Sequence, residues 1–405
     1  MTILAWLITL CTVLFLGVLV ELATRWWIHH RGQYFVLPPG LRLRLEPDHA
    51  VLPQLERSVR FHVNAEGERG DELPSSSEGL FRVLVAGGSQ PEGYLLDQHT
   101  AWPGALHRLL QNPEHLSRLG AERVHVGNIA RSGVGSQALD LILSRVLPRY
   151  PRLQAIIILV GASDVLHWLE QGAPAVSPQT VRTADVFRCH PELTFGWRPA
   201  QLAVTEALLR VRQRWLRPEQ VHPRACRWIG KAREMRSRAT EVVTDMPDPA
   251  PMLARFDRHL RSVLKKAKAH ADRVIVVRQP WFDKECTPEE SALMWHGGVG
   301  QAWREEVTTY YSCKVLSRLM ALLDTKASRV AHEAGVEQVD LMPVIEASSK
   351  TYYDFFHATP AGSRAIAAAV AAAVLRQPRQ EPAALQTSRV AIAHRDDQEL
   401  EQKVS

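Results

Sequence analysis

The chain has 405 residues, 46% hydrophobic and 23% charged, which is ample for a sizeable core and longer than one average domain. Its net charge of +6 is modest, and it has no zinc-finger, Walker or dinucleotide motif and no repeat of solenoid length, so no nucleic-acid partner is expected. The cysteines Cys11, Cys189, Cys226, Cys286 and Cys313 share no CxxC spacing, which argues against structural zinc; the last four are open to two disulfides or to thiols.

In chain order, residues 2–20 carry no charge and are about long enough to cross a bilayer as a helix. Glu21 and Arg25 close the stretch, and Trp26 and Trp27 stand where an interfacial aromatic belt belongs. A cleaved signal peptide would want a basic start and a small-x-small cleavage site, neither of which is evident, so an uncleaved single-pass anchor over 1–27 is expected. Arg25, Arg31, Arg42 and Arg44 all follow this helix, and the positive-inside rule would put the body of the protein in the cytoplasm.

Residues 28–80 read as a juxtamembrane connector that ends in a polar loop at 66–78. The stretch 81–93, FRVLVAGGSQPEG, then gives a buried strand, two glycines that admit a tight turn, and Ser89 at the strand's carboxyl end. A serine so placed is a candidate nucleophile that needs a base and an orienting acid from elsewhere. Alone it is equally an ordinary turn, and Pro91 breaks the Gly-x-Ser-x-Gly elbow.

A helix at 102–111, a short strand at 124–126, a loop at 128–136, a helix at 138–146 and the buried strand AIIILV at 155–160 follow. From 166 to 249 the alternation lapses in a basic stretch rich in arginine between Arg198 and Arg238. It reads as a helical insertion with a solvated face, the other reading being a lid that meets anionic substrate or lipid headgroups. His167, Trp168 and His190 read as packing or lid residues. A helix at 253–269, a strand at 274–277, a long helix at 307–333, a strand at 336–341 and an Ala-rich helix at 360–375 then restore the pattern, and the polar tail 377–405 is expected to be disordered. Five strand–helix repeats imply a parallel sheet covered on both faces, with its site at the carboxyl ends of the strands. Ser89, Gly133, Ser163 and the loop before Pro360 would converge there.

The segment 353–362, YDFFHATPAG, places Asp354 and His357 three apart just before a helix. At that spacing the carboxylate can hold the imidazole Nδ1–H and leave Nε2 to take a proton from Ser89. A helix N-terminal acid beside a surface histidine is the other reading of the same pair.

Taken together, these segments resemble the SGNH, or GDSL-type, hydrolase family, whose four sequence blocks supply Ser, Gly, Asn and an Asp-x-x-His pair. Val85–Ser89 with Gly93 resembles the first block, the stretch 128–136 with Gly133 the second, and Asp354 to His357 followed by Pro360 and Gly362 the last. The resemblance spans 81–376, interrupted by the basic insertion at about 166–249. It implies a flavodoxin-like three-layer α/β/α sandwich with a five-stranded parallel sheet, preceded here by one N-terminal transmembrane helix. It also implies a Ser89–His357–Asp354 triad, an oxyanion hole from Ser89 and Gly133, and no metal or organic cofactor. The chain departs from the family where Gly161-Ala162-Ser163-Asp164 replaces Gly-x-Asn-Asp, so the Ser163 hydroxyl is expected to stand in for the asparagine amide.

The implied activity is hydrolysis of carboxylic esters, of O-acetylated glycan or of lipid, by a protein anchored in a bacterial inner membrane with its catalytic domain outside the cytoplasm. That placement conflicts with the four arginines after the helix. An O-acyltransferase on the same scaffold and a degenerate glycan- or lipid-binding domain are the competing readings, the latter resting on Ser163. The acyl group, the alcohol and the oligomeric state are left open.

Overall fold

The computed structural model describes residues 3–176, 180–194 and 202–376. The tail 377–405 and Arg198 lie outside the described residues. The strands are β1 (Arg42–Pro47), β2 (Val59–His62), β3 (Leu80–Gly87), β4 (Arg123–Asn128), β5 (Leu153–Leu159), β6 (Glu219–Ala225), β7 (Glu241–Val243), β8 (Ala271–Val277), β9 (Thr309–Tyr311) and β10 (Glu337–Val339).

β10, β8, β5, β3 and β4 form, in that spatial order, one five-stranded sheet in which every pairing is parallel. Counted in chain order this is the doubly wound 2-1-3-4-5 arrangement, whose switch point lies between β3 and β5. Ala155 to Leu159 of β5 are fully buried because helices cover both faces, which is why that strand reads as an unbroken apolar run. Helices Trp102–Leu110 and Pro360–Val374 pack together in one layer. Helices Ser136–Val146, Ala250–His270 and Cys313–Glu333 pack in the other.

The segment 28–80 is folded, unlike the plain connector expected. β1 pairs antiparallel with β2 and parallel with β6, so the connector and the basic insertion share a second, three-stranded sheet. Leu43, Leu45, Val59 and Phe61 are buried under it while Arg42, Arg44 and Arg60 point outward. The period-2 signal is present in Arg-Leu-Arg-Leu, but it spans too few residues to stand out beside the arginines. The expected helix at 307–333 also differs. Residues 309–311 are β9, paired with β7, and the helix starts at Cys313. Consecutive Thr and Tyr side chains favour extended backbone, and the Ser312 hydroxyl caps the helix by accepting from Val315 N at 3.2 Å. All five cysteines are free thiols.

Helix Ile3–Arg31 leaves its apolar part exposed, with a mean hydropathy of 2.7 over an 18-residue window, long and apolar enough to cross a membrane. Its last third is built into the domain. Ile28 is fully buried, and the Glu21 carboxylate accepts from Ala203 N at 2.8 Å and Val204 N at 3.1 Å, capping helix Ala203–Leu216.

The connector also reaches the turn after β3 through Arg69, which is 4% exposed. Its guanidinium donates to the carbonyls of Glu92, Gly93 (2.9 Å) and Leu96 (2.6 Å) and lies 4.4 Å over the Phe61 ring. Burial pushes the Arg69 pKa down to about 10, against the opposing charges of Glu92 and Asp97. Beside it, the buried Glu68 carboxylate accepts from Arg82 at 2.9 Å and Asn64 at 3.2 Å and hydrogen-bonds His125 at 2.8 Å. Removing the guanidinium strands those carbonyls and takes a buried positive charge away from Glu92. Arg69→Ala should therefore cost about 3 kcal/mol of stability, read as a lower denaturant midpoint of the full chain in detergent; an unchanged midpoint would detach the connector from the fold.

Candidate active site

β3 ends in a close crossing. A Cβ on Gly87 would lie 1.9 Å from the Leu159 carbonyl oxygen of β5, so only glycine lets the two strands pass here. Gly88 N donates to that same carbonyl at 3.1 Å, and a single helical turn, Ser89–Glu92, follows. Gly93 closes the turn in the left-handed region at φ 59°. Ser89 is thereby set over the switch point of the sheet.

The loop before helix Pro360–Val374 supplies its partners. Asp354 Oδ1 accepts from Phe356 N at 2.9 Å and from His357 N at 2.8 Å, an Asx turn that folds the imidazole back over its own carboxylate. His357 Nδ1 lies 2.8 Å from Asp354 Oδ2, and His357 Nε2 lies 2.7 Å from Ser89 Oγ. Residues 268 apart in sequence are joined by that last bond. The His357 ring stacks on Tyr353 at 5.5 Å between centroids.

Asp354 is 1% exposed. Burial alone would raise its pKa, but the charge and hydrogen bond of His357, with backbone donors, hold it well below the usual carboxylate range. Burial works to lower the pKa of His357, and the Asp354 charge and hydrogen bond outweigh it, so the imidazole is more basic than an ordinary histidine.

Gly133, at φ 77°, and Ser163 line the same cavity of about 480 Å³ as Ser89 and His357. Among the described residues, the amides of Ser89 and Gly133 donate to no protein acceptor, and the Ser163 hydroxyl has no partner. Ser163 Oγ lies 3.7 Å from where a Cβ on Gly88 would be, beside the nucleophile turn. Three residues that line one cavity thus carry donors without an acceptor among the described residues, a chemistry suited to a developing oxyanion.

Buried polar ties hold these loops in place. The Glu92 carboxylate accepts from Ser132 N at 2.8 Å and from the Ser132 hydroxyl, locking the loop of Gly133 to the turn of Ser89. Asp164 accepts from Ser136 N at 2.9 Å and Ser136 Oγ at 2.6 Å, locking that loop to Ser163. Asn128 Nδ2 donates to Pro91 O at 2.7 Å. Burial raises the pKa of both Glu92 and Asp164, against their serine donors.

Trp295 was not singled out in the sequence. Its indole Nε1–H donates to Asp354 Oδ2 at 3.1 Å, and it stands edge-on to Trp228 with centroids 4.9 Å apart. It lies in a loop without periodicity, so no local pattern marks it. Arg69 carries no local pattern for the same reason. His167 lines the cavity, whereas Trp168 is a packing residue whose indole donates to Pro174 O at 3.0 Å, and His190 is buried outside the cavity lining.

His296, Asp354 and His357 place ligand-type atoms within 4.8 Å of one another. The group does not suit a metal, because both His357 nitrogens are engaged by Asp354 and Ser89 and Asp354 already serves several donors. Burial holds His296 down to about 3, so it is neutral beside the pair.

No family model matches the chain, and no curated protein matches it. Among solved structures, the acetylxylan esterase Axe2 from Geobacillus stearothermophilus is 14% identical at a TM-score of 0.38, over 73% of this chain and 94% of that one. LAE5, an alpha/beta hydrolase enzyme from the metagenome of Lake Arreo in Spain, is 12% identical at a TM-score of 0.38, over 73% and 96%. A member of the lipolytic protein G-D-S-L family from Veillonella parvula is 10% identical at 0.37, over 74% and 100%. Likenesses this distant carry no argument about this chain's chemistry.

Because Asp354 favours the imidazolium, His357 should titrate above the ordinary value of 6.5 in an NMR titration of the full chain. Its neutral, proton-accepting form is then present above that raised pKa and lost as pH falls through it. Asp354→Asn removes the charge and should move the titration downward; an unmoved His357 would mean the pair is not coupled.

Proposed function

We propose that the chain is a membrane-anchored serine esterase of the SGNH, GDSL-type class, and that it hydrolyses carboxylic esters through Ser89, His357 and Asp354. The observation that carries this reading is the 2.7 Å contact from His357 Nε2 to Ser89 Oγ, with Nδ1 held at 2.8 Å by the buried Asp354. His357 takes the Ser89 proton as Oγ attacks the ester carbonyl. The resulting oxyanion is met by the amides of Ser89 and Gly133 and by the Ser163 hydroxyl. His357 then gives its proton to the departing alcohol, and water, deprotonated by the same imidazole, releases the acid and restores Ser89. Every step is a proton or acyl transfer that these residues can serve by themselves.

The anchor reading is supported by how helix Ile3–Arg31 is used. Its exposed apolar part is free to enter a bilayer, whereas Glu21 and Ile28 are part of the folded domain. Cleavage as a leader anywhere between them would remove the cap of helix Ala203–Leu216. The catalytic domain is proposed to face away from the cytoplasm. The positive-inside signal against this rests on only four arginines, Arg25, Arg31, Arg42 and Arg44. O-acetylated glycan and lipid both remain within this reading as substrates, and no nucleic acid is involved.

Purified full chain in detergent should hydrolyse p-nitrophenyl acetate, and Ser89→Ala should lower kcat by at least about 10⁴-fold. Turnover that survives Ser89→Ala would overturn the assignment. Ser163→Ala should lower kcat by roughly 10²-fold with little change in KM if its hydroxyl serves the oxyanion. An unchanged kcat would remove Ser163 from the mechanism.

A further inference from the structure

A second cleft, of about 610 Å³, opens on the other side of Gly133 and shares Ser132, Gly133 and His167 with the catalytic cavity. The two differ in character. The catalytic cavity is walled by Tyr94, Trp228, Trp295 and Trp303, whereas the second cleft presents four arginines.

Two of those arginines are already engaged. Arg131 donates to the carbonyls of Asp185 (3.2 Å) and Val186, and Arg182 pairs with the Asp185 carboxylate at 3.0 Å. The other two are not. Among the described residues, neither the Arg255 nor the Arg304 guanidinium has a hydrogen-bond or ion-pair partner. Arg304 lies 4.3 Å over the Trp303 ring, which steadies it at the junction of the two spaces. Of the carboxylates that line the cleft, Asp185 pairs with Arg182, and Asp164 accepts from Ser136 and also lies within reach of the Arg255 charge. His167 stands between cleft and cavity, its Nε2 3.9 Å from where a Cβ on Gly133 would be. Burial, with the Arg255 charge, lowers its pKa, so it is a neutral donor at pH 7.

We propose that this cleft is a subsite for an oxyanion, a carboxylate or a phosphate monoester, carried on the alcohol half of the substrate and held by Arg255 and Arg304. The proposal rests on the esterase reading above. It divides the substrate by polarity. The apolar acyl group enters the aromatic cavity, the carbonyl oxygen meets the Ser89 and Gly133 amides, and the anionic alcohol extends past Gly133 toward two forked donors suited to planar or tetrahedral oxyanions. An acidic sugar and a phosphorylated glycerol offer the same chemistry from different sources.

The test compares matched acetyl esters on the full chain in detergent: O-acetyl glucuronate against O-acetyl glucose, and O-acetyl glycerol 3-phosphate against O-acetyl glycerol. The anionic member of at least one pair should have the higher kcat/KM by about tenfold, and Arg255→Gln or Arg304→Gln should abolish most of that ratio, mainly through KM. Whichever pair responds identifies the source of the anion. Arg152→Gln, at the opposite end of the sheet and paired with Asp272 at 2.6 Å, should keep the ratio. Equal kcat/KM within both pairs would overturn the proposal. If no ester is turned over, calorimetric titration with glucuronate and glycerol 3-phosphate decides. Binding that weakens about tenfold in Arg255→Gln would uphold the anion site and remove the esterase reading. Absence of binding would overturn the site.

Discussion

The contact between β3 and β5 at Gly87 is the constraint on which the site depends. With the Leu159 carbonyl 1.9 Å from where a side chain would begin, the two central strands meet at a distance that only an unsubstituted backbone allows. That approach lets Gly88 share the same carbonyl and throws Ser89 up over the switch point. It also brings Ser163, at the end of β5, beside the turn that presents Ser89. Ser89 and Ser163 are thus positioned by the sheet itself.

Around this centre, several buried charged groups join one segment to another. Glu68, Arg69, Glu92, Asp164 and Asp354 are each under a tenth exposed, and each ties segments that are remote in sequence, Asp354 through Trp295. Such groups are poor sources of net stability, because their desolvation offsets most of what the pairing returns. Their directionality is what an apolar core lacks. A carboxylate that must meet two donors admits one loop geometry, whereas Leu against Ile admits several. Carbonyls and amides of the site loops that would otherwise be stranded away from water are satisfied in the same way.

The N-terminal helix and the basic insertion belong to the same arrangement. Glu21 closes the open N-terminus of helix Ala203–Leu216, β6 completes a sheet with β1, and Arg69 carries the connector into the nucleophile turn. The domain is therefore not hung from a flexible tether. Its position relative to helix Ile3–Arg31 is set by hydrogen bonds and by the buried Ile28.

How much of this could be read from the chain alone follows from the range of each interaction. The central strands were legible because burial on both faces leaves unbroken apolar runs, as in Ala155 to Leu159. The Asp354–His357 pair was legible because its geometry is local, a turn of three residues closed by two backbone donors. Gly87, Gly88 and Ser89 were legible as a tight turn from glycine alone. The folding of 28–80 was not, because a strand as short as Leu43 and Leu45 declares itself only once β6, more than 170 residues later, lies beside it. The late start of helix Cys313–Glu333 was missed for a similar reason, since β7 draws Thr309 to Tyr311 into a pairing that helical spacing does not foresee. Trp295 on Asp354, Arg69 under the turn of Ser89, and Arg255 and Arg304 in the second cleft carry no signature of their own. The sequence by itself determined which backbone segments extend, coil and turn, since those depend on neighbours within a few residues. Which polar groups face one another across the folded chain, and which are left with none, was decided by tertiary structure alone, because a hydrogen bond depends on distance in space and not on separation along the chain.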